Sequence, residues 1–90
     1  MLSKNSSDKI YSEIEITLVF ENNLIAESIN NSTSPENQET PKGVTSSSSI
    51  EENKIILTIK SEESLLDLLG TLEDYFEKID LSYKTIKQIR

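Results

Sequence analysis

The sequence predicts an α+β domain, a three-stranded antiparallel sheet with two main helices on one face, in the order β-α-β-β-α. Three observations carry this. Ile14, Ile16, Leu18 and Phe20 alternate with Glu13, Glu15, Thr17 and Val19, the period of a half-buried strand. Residues 44–50 and 54–60 flank Glu51-Glu52-Asn53, two strands around a tight turn. Leu65, Leu68, Leu69, Leu72, Tyr75, Phe76 and Ile79 recur at steps of three and four, the period of a helix.

Taken in order, residues 1–9 are polar and predict a flexible N-terminal tail, leaving 10–90 as a single domain. The first strand follows over 13–20. Asn22, Ile25, Ala26 and Ile29 then fit a short amphipathic helix over 22–32, opened by an Asn or Glu. It should stop before Pro35, because the residue preceding a proline resists helical geometry. Ser34-Pro35-Glu36-Asn37 and Pro41-Lys42-Gly43 are turn chemistry, so 30–43 reads as a loop.

The run Ser46-Ser47-Ser48-Ser49 has the composition of a linker, yet Val44 and Ile50 lie on one face of a strand. The clear strand over 54–60 needs an antiparallel neighbour, and 44–50 is the nearest. Serine is a weak strand former, so this strand should be the least stable. The last helix is expected over 62–79, capped by Ser61, with Glu62 and Glu63 in its first turn. Gly70 lies mid-helix, where glycine costs up to about 1 kcal/mol against alanine. Either it admits another element closely or it is merely tolerated. After Asp80 the sequence allows a break with Ser82 as a new cap, or a helix that runs on.

Composition restricts the chemistry. The chain has 90 residues, 34% hydrophobic and 28% charged, with sixteen acidic and nine basic side chains and a net charge of -7. There is no Cys, His or Trp. Disulfides, Cys or His metal sites, thiol catalysis and His-dependent triads are therefore excluded. Two glycines cannot make a glycine-rich phosphate loop. Glu73, Asp74, Glu77 and Asp80 share a long helix flank and read as a solvated face rather than a metal cluster. No catalytic residue, cofactor or metal is expected, and no enzyme activity. The polar start, Met1 to Lys9, and the short apolar runs predict a cytoplasmic chain that meets no membrane. An acidic chain neutralises few phosphates, which disfavours direct nucleic-acid binding.

The apolar count exceeds what the sheet can cover. Leu66, Leu69, Phe76, Tyr83, Ile86 and Ile89 cannot all face one small sheet, and Val19 and Ile56 fall on its other side. Such a surplus points to a protein partner.

Several segments in order carry a resemblance. They are Ser34-Pro35-Glu36-Asn37, Pro41-Lys42-Gly43-Val44, a hairpin with Asn53 at its turn, the helix Leu68-Leu69-Gly70-Thr71-Leu72-Glu73-Asp74-Tyr75-Phe76, and the Ile79-Asp80-Leu81 end. Over about residues 13–89 the chain resembles the CTAG/Pcc-type small subunit of the KEOPS complex. The resemblance implies a non-catalytic, dimerising scaffold subunit. KEOPS installs threonylcarbamoyladenosine next to the anticodon of certain tRNAs, and its Kae-type subunit does the chemistry. The small subunit pairs with itself or with a related small subunit, and its helices pack on the Kae-type subunit. Basic residues common in the family's second strand and last helix are replaced here by Ser46 to Ser49 and by Leu69. Contact with tRNA is thus expected only indirectly, within the complex. The departures also fit a divergent paralogue that pairs with the true small subunit and caps it.

Partner contacts are expected on the helix surface turned away from the sheet, at Ile25, Ile29, Leu66, Leu69, Gly70 and Phe76. Two other classes compete. A generic acidic adaptor would mask a basic partner and show strongly salt-sensitive binding. An RNA-binding module would need a basic stripe or stacking aromatics on the sheet, where only Phe20 is available.

Overall fold

In the computed structural model, which describes residues 11–34, 40–62 and 64–89, the expected order β-α-β-β-α is present. The expected tail at 1–9 and most of the Ser34-to-Asn37 turn lie outside the described residues. The strands are β1 (Ser12–Val19), β2 (Val44–Glu51) and β3 (Lys54–Ser61), and the helices are α1 (Asn23–Thr33) and α2 (Leu65–Ile89). The sheet is antiparallel in the order β1-β3-β2.

Register explains the two faces. Ile14, Ile16 and Leu18 of β1 lie opposite Ile59, Leu57 and Ile55 of β3. Those β3 residues in turn lie opposite Ser46, Ser48 and Ile50 of β2. This face meets the helices. Ile55, Leu57 and Ile59 are fully buried there with Ala26 and Ile29, and Val44, Leu68, Tyr75 and Ile79 complete the buried core. Burying each large aliphatic side chain contributes about 1.5–3 kcal/mol, so the central strand supplies most of the sheet's share of the core. The serine run is a strand because it pairs with β3 along its whole length, and α1 packs against it. Ser48 donates its hydroxyl to Asn30 Oδ1 of α1 at 2.7 Å.

Helix α1 begins as expected. The Asn22 side chain accepts the Ile25 N–H at 2.9 Å, satisfying one orphan donor of the first turn. Helix α2 begins later than expected. The Ser64 hydroxyl, not that of Ser61, accepts a first-turn N–H, from Asp67 at 3.2 Å. Ser61 is instead the last residue of β3, and its hydroxyl donates to the Ser64 carbonyl at 2.8 Å. Glu62 therefore precedes the helix, and the acidic residue in the first turn is Asp67.

Beyond Asp80 the helix runs on without a break to Ile89. Ser82 does not cap; its hydroxyl meets that of Ser32 on α1 at 2.8 Å. Tyr83 and Ile86 pack against the core. Gly43, at φ 84°, makes the turn into β2 that a side chain would strain. Among the described residues no helix is long and apolar enough to cross a membrane.

Candidate partner-binding surface

Helix α2 is 25 residues long, against eight in each strand. At 1.5 Å per residue against about 3.3 Å the helix spans about 37 Å and a strand about 26 Å. The helix therefore overhangs the sheet. Leu68, Tyr75 and Ile79 face the core. At 3.6 residues per turn, Leu65, Leu69, Leu72, Phe76 and Tyr83 fall within about 60° of each other on one flank. Phe76 and Tyr83 line an open hollow of about 530 Å³ with Leu18, Val19 and Phe20, which places this flank on the β1 side.

The flank is only partly covered. Leu65 is 45% exposed, Leu69 46% and Phe76 39%. Leu66, on the crest of the helix, is 78% exposed. Glu73, Glu77 and Asp80 border the apolar strip on its outer side. Asp80 is paired with Lys84 at 3.0 Å.

The end of α2 is fixed by a small polar junction. The Glu21 carboxylate accepts from the Tyr83 hydroxyl, and from Lys87 Nζ at 3.2 Å. The Tyr83 hydrogen bond, above all, holds the Glu21 carboxyl below the usual carboxylate range; a backbone hydrogen bond and Lys87 add to this. The same bond pushes the Tyr83 phenol up. The Phe20 and Tyr83 rings lie 6.1 Å apart, and Lys87 stands 5.8 Å from the Tyr83 ring centre. Phe20 donates its N–H to the Asn53 carbonyl at 2.8 Å, and the Asn53 amide donates back to the Phe20 carbonyl at 2.7 Å. The hairpin tip, the entry to α1 and the last turns of α2 are thereby tied together.

The six residues expected to meet a partner are not brought together. Leu66, Leu69, Gly70 and Phe76 are exposed on α2, but Leu69 and Phe76 lie on the β1 flank while Gly70 lies on the far side of the crest. Ile25 is half-buried on α1. Ile29 is a correction. It is fully buried among the core residues and presents no surface to a partner, because α1 turns it and Ala26 toward the sheet. Gly70 admits no other element of the described chain: a Cβ there meets nothing within 4 Å. Leu65 was missed as a surface residue. Its spacing to Leu69, Leu72 and Phe76 is visible in the sequence, but so regular a stripe also suits a core. Among the described residues no group of three or more acidic side chains is placed to hold a metal ion.

A family model described as transcription factor Pcc1 matches residues 13–87. One chain of the crystal structure of the binary complex Gon7–Pcc1 is similar in fold, with a TM-score of 0.76 at 18% sequence identity; the match covers 94% of this chain and 100% of that one. No curated protein matches the chain significantly.

Proposed function

The chain belongs to the Pcc1 family, and from that premise we propose that it is a non-catalytic small subunit of a KEOPS-type assembly. It supports threonylcarbamoyladenosine modification of tRNA by docking on a Kae-type catalytic subunit and pairing with another small subunit. It works in the cytoplasm and reaches tRNA only through the assembly. The observation that carries this reading is the exposed apolar surface of α2, at Leu65, Leu66, Leu69 and Phe76. These are four of the five large apolar residues that α2 exposes among the described residues, the fifth being Leu81, and such a cluster is what a helix-packing partner covers. Of the other expected contacts, Gly70 lies beyond Leu66 on the same helix and Ile25 lies on α1, outside that surface; Ile29 is withdrawn from the set. The absence of Cys and His agrees with a subunit that leaves chemistry to its partner, and the charge of -7 with indirect contact to tRNA.

The test is solution mass by light scattering, for the chain alone and mixed with a Kae-type subunit. A larger complex with the Kae-type subunit supports the docking role. A chain that ignores the Kae-type subunit yet pairs with a second small protein of the family identifies a capping paralogue. A chain that binds neither refutes the proposal.

A further inference from the structure

The serine run of β2 holds a hydroxyl that the fold does not use. Among the described residues six serines and threonines have an acidic residue three positions on: Ser12, Thr33, Ser48, Ser49, Ser64 and Thr71. Five of them are engaged in the fold. The Ser12 hydroxyl is buried. Thr33 is buried and donates to the Ile29 carbonyl at 2.6 Å. Ser48 bonds Asn30, Ser64 caps α2, and Thr71 donates to the Asp67 carbonyl at 2.9 Å. Of the six, Ser49 alone is exposed. By strand alternation it lies with Ser47 and Glu51 on the face of the sheet turned away from the helices.

The acids that follow it are Glu51 and Glu52, both exposed at the hairpin tip. Glu52 has φ 57°, and among the described residues no other non-glycine has a positive φ. Tight turns fill such positions with Gly, Asn or Asp, because the Cβ of other residues crowds the backbone there. Turn chemistry therefore does not account for a glutamate at this point. Recognition does. An acid three residues after an exposed serine, on extended backbone, is the pattern read by acidophilic serine/threonine kinases, whose basic clefts bind that carboxylate. Ser49 and Glu51 belong to an edge strand, so the segment is already extended and has β3 on one side only.

We propose that Ser49 is a phosphorylation site for an acidophilic serine/threonine kinase, which recognises it through Glu52 with Glu51 in support. Ser49 Oγ attacks the γ-phosphorus of ATP. The new Oγ–P bond forms as the bond to the leaving ADP breaks, and the hydroxyl proton passes to the base of the kinase. This site stands apart from the exposed surface of α2 and does not depend on what that helix binds.

The phosphate adds a charge of about −1.5 to −2 at a point where little balances it. Ser49 lies opposite Ile56, and Glu51 is its neighbour on the same face of its own strand. Lys54 is one diagonal step away, but it already lies opposite Glu51. Like charges so placed are destabilising, so the phosphate loosens the hairpin tip. The bond from Phe20 N–H to the Asn53 carbonyl turns the odd-numbered residues of β3 toward β1 and leaves Lys54, Ile56 and Thr58 to bond Glu51, Ser49 and Ser47. Those three β2 amides report the loosening.

The test incubates the full-length chain with MgATP and a constitutively active acidophilic kinase, then maps the phosphate by mass spectrometry. One phosphoryl group should appear, on Ser49, and Ser49→Ala should abolish it. Glu52→Gly suits the positive φ and keeps the hairpin, yet it should slow labelling at least about tenfold, the loss of one hydrogen bond to a charged group. A purely structural role for Glu52 would not slow it. In the phosphorylated chain the amides of Ser47, Ser49 and Glu51 should exchange about two- to fivefold faster at low salt, and the gain should shrink as salt rises. Phosphate on Ser47 or Ser48 instead, equal labelling of Glu52→Gly, or a full-length chain left unlabelled while a peptide of residues 44–54 is labelled would each overturn the site. Exchange that slows on phosphorylation would overturn the loosening.

Discussion

Gly70→Ala should make this protein more stable. Gly70 lies in the interior of α2, five residues after its start, and its φ is not in the left-handed region. Replacing glycine with alanine there gains about 0.8–1 kcal/mol, because the unfolded chain loses freedom that it would otherwise surrender on folding. The opposing term is steric, and here it vanishes: a Cβ built at Gly70 has nothing within 4 Å outside its own helix backbone. The net gain is therefore the full propensity difference. For a domain of this size it raises the midpoint by about 4–8 °C per kcal/mol. Thermal unfolding and urea titration measure it, the urea midpoint moving up with an unchanged slope. A midpoint that falls means that some group does approach Gly70, and the account of an unobstructed site is wrong. Binding gives a second reading on the same variant. If a Kae-type partner packs its backbone on this glycine, alanine weakens the complex while stabilising the free chain.

Other expectations follow from single contacts. Ser64→Ala removes the acceptor of the Asp67 N–H and should cost about 0.5–2 kcal/mol of stability, read from the urea midpoint; Ser61→Ala should not reproduce this through loss of a cap. Leu66→Glu should leave the fold within about 0.5 kcal/mol, since Leu66 is 78% exposed, while lowering Kae-type binding by about 30-fold or more if Leu66 anchors the interface. Normal binding by a folded variant would remove Leu66 from the interface. The Glu21 junction contributes stability above the ordinary carboxylate pKa of 4.5, because the folded carboxyl is held lower than the unfolded one. That contribution is lost as pH falls through the lower folded value. Urea midpoints followed into acid should show this dependence weakened in Glu21→Gln and in Tyr83→Phe, the latter because it removes the largest cause of the shift. For Tyr83 the sign is opposite: its pKa is raised, so its contribution is present below about pH 10 and lost as pH rises through the folded value.

The elements were legible because each rests on a local rule. Alternation over Ile14 to Phe20 gave β1, and the Asn22 cap gave the start of α1 to within a residue. The serine strand was legible only through its neighbour, since Val44 and Ile50 mark a face but four serines do not. The start of α2 was misplaced because Ser61 and Ser64 are both competent caps. Ser61 is drawn into β3 opposite Ser12 and Val44, and that pairing is not written in the local sequence.

By itself the sequence determined the order of the elements, the face of each that is apolar, and the exclusion of thiol, histidine and glycine-loop chemistry. These follow from residue identity and from periods of two and 3.6. Only the tertiary structure decided which apolar residues are buried. Ile29 and Phe76 look alike in a periodic pattern, yet Ile29 is enclosed between α1 and the sheet while Phe76 stands at an uncovered edge. Burial depends on what lies across from a side chain. That is set by the width of a three-stranded sheet under a 25-residue helix, a property of the packed elements rather than of any one of them.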